Sequence, residues 1–172
     1  LPPAPPAEKE TGKVRRLALF IHYQADKSVS DADLYLLKEL RKSSEIVVIS
    51  NSGLSRHAMK KVQTFAKEVM VRDNTGFDFG AWKAALAKTR LENYDELVLL
   101  NNSIIGPFYS FDRIFGRMQR SRADFWGMTE FPETRNPKRE EAKYLPGGVI
   151  PRHIQSYFLV FRRKAIESKA FR

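Results

Sequence analysis

Residues 71–108 read VRDNTGFDFGAWKAALAKTRLENYDELVLLNNSIIGPF. The pattern is that of a strand end, a polar loop, a helix, a second strand and a second polar loop. The first loop spans residues 72–78, and the second begins with the triplet Asn101-Asn102-Ser103. In open α/β sheets, ligands bind where neighbouring parallel strands end. This stretch therefore predicts two parallel strands and a ligand site formed by the loops that follow them.

Strand and helix patterns alternate on both sides of this stretch. Short apolar or β-branched runs indicate strands, and apolar residues at helical spacing indicate helices between them. Ser30 followed by Asp33 resembles the N-cap of the first helix. The alternation predicts an α/β fold with a mostly parallel sheet and helices on both faces. The expected strands cover residues 15–23, 45–50, 69–72, 96–100, 125–128 and 156–161.

Two segments stand outside this alternation. Residues 1–13 contain four prolines within their first six positions, a composition typical of a solvated linker. Residues 130–152 are polar and rich in Pro and Gly, and loops of that length in compact domains are usually functional or mobile. We therefore expect a proline-rich linker at residues 1–13 and one domain at residues 14–172.

The composition of the chain indicates which classes of partner it could bind. With 30 Lys and Arg against 20 Asp and Glu, the formal charge is +10, which favours anions such as nucleotide diphosphates or an acidic membrane face. Nucleic acid is not expected, because no aromatic and basic recognition motif is present. The chain has no cysteine, which excludes disulfides, thiolate nucleophiles and cysteine-ligated zinc. No apolar run is long enough to span a bilayer.

The two polar loops contain the residue types most suited to a ligand. Gly76 can take a positive φ and lets a ligand approach the backbone. Asp78 lies near a helix start, where the helix dipole favours a carboxylate, although a plain N-cap explains it equally well. Asn74 and the triplet 101–103 are also common turn formers. The residue types alone therefore leave turn formation and ligand binding open.

Five motifs, in this order, resemble the rhamnan synthesis protein F family of glycosyltransferases. The resemblance runs from about residue 14 to the end of the chain. It implies a GT-A-like fold and an inverting transfer of sugar from a nucleotide to a polysaccharide. The motifs are VVISNSG (47–53), RDNTGFDFGAWKAAL (72–86), YDELVLLNNSIIGPF (94–108), DFWGMTE (124–130) and HIQSYFLVFRRKAI (153–166).

The resemblance also implies roles for individual residues. Donor binding would involve the loops after the second, third and fourth strands, with Asn51 near the nucleotide base. A second group would lie on the acceptor side. The implied donor residues are Asn51, Asn74, Gly76, Asp78, Asn101, Asn102 and Ser103, and the implied acceptor-side residues are His153, Gln155 and Ser156.

The sequence departs from the GT-A pattern in two places. The triplet 101–103 stands where such enzymes carry Asp-x-Asp, and without those carboxylates the binding of Mg²⁺ or Mn²⁺, through Asn102, stays an open alternative. The general base is not identified. Asp124 and Glu130 are the carboxylates nearest a strand end. In related enzymes the base follows the helix after the last strand, so we expect the C-terminal part of the domain to lie beyond Arg172.

The resemblance therefore implies a hexosyltransferase domain that transfers rhamnose or another deoxyhexose to a cell-surface polysaccharide. The expected donor is dTDP-rhamnose or a similar nucleotide sugar, and the expected acceptor is a saccharide or a lipid-linked saccharide. A cytoplasmic location is expected, in solution or in peripheral contact with the inner membrane face. The alternative is a non-catalytic nucleotide-sugar-binding or scaffolding module.

Overall fold

Six strands form one central sheet in the computed structural model, which describes residues 14–135 and 149–171. The expected linker at residues 1–13 lies outside these ranges. The sheet strands are β1 (Arg16–His22), β2 (Glu45–Ser50), β3 (Glu68–Val71), β4 (Glu96–Asn101), β5 (Phe125–Gly127) and β10 (Phe158–Arg162). Four two-residue strands precede β10, namely β6 (Glu130–Phe131), β7 (Thr134–Arg135), β8 (Val149–Ile150) and β9 (His153–Ile154).

The sheet is mostly parallel, as the sequence predicts. Its strand order is β3-β2-β1-β4-β10-β5, and β1 to β4 all run in the same direction. The last strand, β10, lies between β4 and β5 and is antiparallel to both. Strands β4 and β5 are therefore parallel to each other, and five of the six strands end at the same edge. We call this the carboxyl edge, and the opposite one the amino edge.

Helices cover both faces of the sheet. Three of them bury apolar side chains in the cluster that contains Phe20 and Phe158, and the other two pack on the cluster that contains Leu19 and Leu97. The first group is α1 (Asp31–Leu40), α2 (Arg56–Gln63) and α4 (Phe111–Gln119); the second is α3 (Phe77–Leu86) and α5 (Arg163–Ile166).

The expected cap of α1 is confirmed. The Ser30 side chain accepts a hydrogen bond from the backbone N–H of Asp33, and the Asp33 carboxylate accepts one from the backbone N–H of Ser30. This reciprocal pair satisfies two amide groups that the helix itself leaves unpaired. It fixes where the chain leaves the loop after β1 and enters the helix.

The segment expected to be one long loop contains regular structure. Strand β6 pairs with β9, and β7 pairs with β8, each in antiparallel register. The intervening residues 136–148 lie outside the described ranges. These strands could not be predicted from the sequence. A strand of two residues is too short to show an alternating apolar pattern, and the Pro and Gly residues around them indicate a loop.

A buried ion pair ties the amino edge together. Arg16 Nε lies 2.6 Å from Glu96 Oε2, and both side chains are 7% exposed. Arg162 Nε lies 3.4 Å from the other carboxylate oxygen of Glu96. The guanidinium of Arg16 also stacks over the ring of Phe115, 4.2 Å from its centroid. The Glu96 carboxylate on β4 thus pairs with two guanidinium groups, one on β1 and one on β10.

His22 is buried at the opposite end of β1. Its Nδ1 lies 3.3 Å from the Ser50 hydroxyl, and its Nε2 has no hydrogen-bond partner among the described residues. Burial lowers the pKa of this imidazole below its usual value, because the charged ring loses its hydration; Asp33 opposes the shift. The folded state therefore favours neutral His22.

We expect His22 to make the folded state acid-sensitive. Below the unfolded-state pKa of about 6.5 the unfolded chain takes up a proton that the folded chain excludes, so stability falls as the pH falls through that value. One such group contributes a slope of at most about 1.4 kcal/mol per pH unit. Urea unfolding at several pH values should give a shallower slope for His22→Gln than for the wild type. An unchanged slope contradicts the assignment, and His57→Gln, on the exposed face of α2, controls for loss of an imidazole.

Within the described residues, no helix is long and apolar enough to cross a membrane.

Candidate functional site

The loops after β2, β3 and β4 meet at the carboxyl edge. Asn51, which follows β2, bonds to Asn74 in the loop after β3. Asn101, the last residue of β4, bonds to Asp78 at the start of α3. Four of the residues expected at a donor site are thus joined in pairs by side-chain hydrogen bonds. The sheet brings together three loops that are far apart in sequence.

Asn51 acts as a clamp within this region. It is 4% exposed. Its amide group donates to Asn74 Oδ1 at 3.0 Å and to the carbonyl of Phe77 at 3.3 Å. Its carbonyl oxygen accepts from Arg72 Nη1 at 2.9 Å. Both polar atoms of Asn51 are therefore used in holding the neighbouring loop, and the structure places this residue beneath the site rather than in contact with solvent.

The loop at residues 72–77 folds back on α3. Gly76 has φ +73° and Phe77 has φ +50°, a left-handed pair in which the positive φ of a phenylalanine is uncommon. Arg72 Nη2 donates to the carbonyl of Thr75 at 2.6 Å. Gly80, one turn into α3, faces that carbonyl so closely that a Cβ on residue 80 would overlap its oxygen. The φ of +73° at Gly76 confirms the positive φ expected there.

Asp78 is the second residue of α3, and Gly76 is the N-cap. The plain N-cap interpretation of Asp78 is therefore wrong. Its Oδ2 accepts a hydrogen bond from Asn101 Nδ2 at 2.6 Å, and Asn101 Oδ1 accepts the backbone N–H of Ser103 at 3.0 Å. These bonds connect the start of α3 to the loop after β4. The second oxygen of Asp78 has no partner among the described residues.

The remaining amides leave groups available for a ligand. Asn102 donates from Nδ2 to the carbonyl of Tyr23 at 3.2 Å, while its Oδ1 is unpaired among the described residues. Asn74 uses its oxygen for Asn51, which leaves its amide protons free there. These atoms, with the second oxygen of Asp78, offer both donors and acceptors at one edge of the sheet.

Lys27 adds a positive charge at the same edge of the sheet. It lies in the loop after β1 with φ +60°, and its carbonyl accepts the backbone N–H of Ser55 at 2.8 Å. Its side-chain carbons pass beside Gly53, in the turn after β2. Its ammonium forms no ion pair in the described part of the chain. No motif in the sequence singles out this lysine.

The donor set does not suit a resident metal ion. In the described ranges, no three or more His, Asp or Glu side chains are grouped to hold one. Asn101 already uses its oxygen and one amide hydrogen inside the protein. Neutral amide oxygens such as that of Asn102 are weaker ligands for Mg²⁺ than carboxylates. Among the residues expected at the donor site, Asp78 is the only carboxylate.

A cavity of about 480 Å³ separates the donor-side loops from the last strands. Ser103 lines it on one side and Thr129 and Tyr157 on the other. Gln155, expected on the acceptor side, accepts from the Thr129 hydroxyl at 2.7 Å, and Ser156 lies half-buried beside it. Gln155 and Ser156 are thus next to residues that line the cavity, but no hydrogen bond in the described residues joins them to the Asn51 and Asp78 pairs.

His153 lies further out on β9. Its Nδ1 is 2.8 Å from the carbonyl oxygen of Pro151, and its ring stacks on Phe131 with centroids 5.4 Å apart. The imidazole is exposed. These contacts fix its orientation in the β6–β9 pair.

Asp124 is at the wrong edge of the sheet for a base. It precedes β5, and Phe125 and Leu97 both pair with Phe161, so residue 124 is level with the start of β4. Its carboxylate lies 2.7 Å from Lys164 Nζ. The sequence misplaced Asp124 because nothing local to residue 124 indicates which edge of the sheet it occupies.

Glu130 lies near the carboxyl edge, just after β5. Its carboxylate lies 2.6 Å from Arg152 Nη2 and is half exposed. The hydrogen bond from Arg152 lowers the pKa of Glu130 below its usual value. The group is therefore ionised at neutral pH and a weaker base than a free carboxylate.

Comparison with known proteins identifies the family. A family model described as rhamnan synthesis protein F matches residues 46–172. "Uncharacterized protein y4gN" of Sinorhizobium fredii is 23% identical over 157 residues, which are 90% of this chain and 38% of that protein. "Virulence protein VirA" of Vibrio anguillarum (strain ATCC 68554 / 775) is 27% identical over 160 residues, 88% of this chain and 44% of that protein. The chain thus spans less than half the length of these relatives, and it belongs to the rhamnan synthesis protein F family.

Proposed function

We propose that this domain binds a nucleotide sugar at the carboxyl edge and transfers its sugar, rhamnose or another deoxyhexose, to a growing polysaccharide. The observation that carries the proposal is the convergence of three strand-end loops on Asp78 and Asn101, whose side chains are 2.6 Å apart. Ligand sites of open α/β sheets form at this position. Membership of a family named for rhamnan synthesis supports a saccharide substrate.

The proposed donor contacts divide into two layers. Asn51 and Arg72 hold the loop from below, because their polar atoms are bonded within the protein. Asn74, Asp78 and Asn102 present the unpaired atoms that would bond to the nucleotide or the sugar hydroxyls. A carboxylate oxygen held by a neighbouring amide is already oriented, so it loses little conformational freedom when a hydroxyl binds.

The leaving diphosphate needs positive charge or N–H donors. We propose that Lys27 and backbone N–H groups of the loop at residues 72–77 supply them, because the side chains in the described ranges form no cluster of three or more His, Asp or Glu that could hold a metal ion. Binding of the donor would then be independent of Mg²⁺ and Mn²⁺. Its affinity would fall with added salt, since an exposed lysine is screened.

Transfer also needs a base to deprotonate the acceptor hydroxyl. Of the two carboxylates named from the sequence, Glu130 remains a candidate because it lies near the carboxyl edge, next to Thr129, whose hydroxyl bonds to the acceptor-side residue Gln155, and pairs with Ile154 on β9. Its pairing with Arg152 means that the acceptor, on binding, would have to displace the guanidinium.

The paired state of Glu130 also favours a second function. If the domain only binds a nucleotide sugar, as a scaffold within a larger polysaccharide-synthesis protein, no free base is required. The two functions differ in one measurement. A binding-only module gives calorimetric heat with the nucleotide sugar and no product with an acceptor, whereas a transferase gives both.

We expect Asp78→Ala to weaken nucleotide-sugar binding by about tenfold or more, since one charge-assisted hydrogen bond contributes roughly 1.5–3 kcal/mol. Calorimetry with a panel that includes dTDP-rhamnose, in EDTA and in Mn²⁺, would measure the effect. The matched control is Asp95→Ala, because Asp95 lies at the amino edge, where it accepts the backbone N–H of Arg15 at 2.9 Å.

Asp78→Asn separates charge from shape in the same assay. It keeps the size of the side chain and one oxygen to accept from Asn101, but it places an NH2 group where the free carboxylate oxygen was. Its loss of affinity therefore reports that oxygen and its charge. Equal affinities for Asp78→Ala and Asp95→Ala would reject the proposed site. Heat that appears only with Mn²⁺ would reject metal-independent binding while leaving the site itself in place.

A further inference from the structure

The loop that follows the donor-side triplet exposes large apolar side chains. Ile105 is 79% exposed, Phe108 is 85% exposed and Tyr109 is 66% exposed. We call residues 105–109 the aromatic loop. The loop is not detached from the domain, because Tyr35 on α1 donates from its hydroxyl to the carbonyl of Pro107 at 3.3 Å. Exposed apolar groups concentrated in one anchored loop indicate a contact surface.

An apolar cavity opens behind the aromatic loop. It is the cavity of about 480 Å³ described above, and apart from Ser103, Thr129 and Tyr157 its walls are almost entirely apolar. The loop forms one wall, and Leu36, Phe111, Ile114 and Met128 contribute to the others. An apolar group that contacts the aromatic loop could therefore also contact the apolar walls of this cavity.

Helix α4 continues this surface with positive charge. Arg113, Arg117 and Arg120 are spaced by four and then three residues, which places them on one side of the helix, and all three are exposed. We call them the arginine stripe. None of the three forms an ion pair with a described residue, and Arg113 stacks on Tyr109 at 4.7 Å from the ring centroid. The stripe thus begins at the aromatic loop.

We propose that the aromatic loop and the arginine stripe dock this domain on an anionic lipid bilayer. Apolar and aromatic side chains enter the boundary between headgroups and acyl chains, while arginines beside them pair with lipid phosphates. The two parts of the surface match these two layers, and they are contiguous through Tyr109 and Arg113. The carboxyl edge of the sheet would then face the membrane. This proposal holds whether or not the site transfers a sugar.

Vesicle co-sedimentation tests the contribution of the arginine stripe to membrane binding. Wild-type protein should bind vesicles of phosphatidylglycerol and phosphatidylcholine in equal parts, bind pure phosphatidylcholine far more weakly, and lose affinity as salt is added. The variant Arg113→Gln/Arg117→Gln/Arg120→Gln should bind the anionic vesicles roughly a hundredfold more weakly, about fivefold for each arginine. The control Lys83→Gln/Lys88→Gln/Arg90→Gln removes the same charge from the α3 side of the sheet and should retain most of the affinity.

Substitutions in the aromatic loop test the contribution of its apolar side chains to membrane binding. Ile105→Ser/Phe108→Ser should reduce binding to anionic vesicles by roughly tenfold or more. Phe125→Ser, at a phenylalanine that is 39% exposed at the amino edge, should leave it unchanged. In Phe108→Trp, the emission of the introduced indole should shift to the blue with anionic vesicles and not with nucleotide sugars.

Three results would overturn the proposal. The first is equal loss of vesicle binding in the two charge variants, which would mean that only net charge matters. The second is no vesicle binding by the wild type at low salt. The third is wild-type self-association, measured by sedimentation equilibrium without lipid and abolished by Phe108→Ser, which would assign the loop to a second copy of the chain. Calorimetry with a nucleotide sugar on the same variants reports separately on the donor site.

Discussion

Gly80→Ala is expected to disrupt the loop at residues 72–77 and with it nucleotide-sugar binding. A Cβ at position 80 would overlap the carbonyl oxygen of Thr75 and approach Arg72 Nη2 to 3.4 Å. Because the overlap involves backbone, it cannot be relieved by a rotamer change, and the loop has to move away from α3. We expect a loss of about 1–3 kcal/mol in the free energy of unfolding, measured with urea, and no detectable heat with the donor.

Gly116→Ala is the matched control. Gly116 is also inside a helix, on the exposed side of α4, and a Cβ there meets nothing within 4 Å. Alanine should stabilise the protein by about 0.5–1 kcal/mol, because glycine is the poorer helix former. Donor binding should be unchanged. A Gly80→Ala protein with wild-type stability and affinity would show that the loop does not need its close approach to α3.

Glu96→Gln is expected to be the most destabilising single change at the amino edge. It leaves Arg16, which is 7% exposed, and the partly buried Arg162 without their carboxylate. Removing one partner of a buried ion pair costs about 3–5 kcal/mol, because the remaining charge is neither paired nor hydrated. Urea unfolding should show this as a lower midpoint with a similar slope.

The surface pair of Glu133 and Arg135 provides the comparison. Its side chains are 52% and 80% exposed at a separation of 3.1 Å, and exposed pairs contribute at most about 1 kcal/mol. Glu133→Gln should therefore leave the midpoint almost unchanged. If Glu96→Gln unfolds at the wild-type urea concentration, the burial of the Arg16–Glu96 pair contributes nothing to stability.

Most of the fold could be predicted because its elements carry strong local patterns. The six sheet strands were expected within a few residues of their observed bounds, since each is an apolar run between polar turns, and the cap at Ser30 follows from the spacing of two residues. Strand direction is different. The antiparallel placement of β10 between β4 and β5 depends on long-range pairing, which no local pattern in residues 156–161 encodes.

The site could be predicted only in part for the same reason. Residues at the ends of parallel strands share an edge by construction, so the meeting of Asn51, Asp78 and Asn101 follows from the strand pattern. Which of them faces a ligand does not, because that depends on side-chain hydrogen bonds such as those that use both polar atoms of Asn51. Asp124 shows the limit most directly, since its edge is set by pairing with β10.

The position of β10 also bears on how the protein is made. In the sheet, β5 pairs with β10 and not with β4, and its Trp126 packs against Phe158 with ring centroids 6.1 Å apart. A nascent chain can therefore assemble the four parallel strands as soon as residues 16–101 have left the ribosome. Helix α4 and β5 then have to wait, with apolar surface uncovered, until residues 158–162 emerge and are inserted between β4 and β5. During that interval this half of the domain is the part most exposed to chaperones and to aggregation.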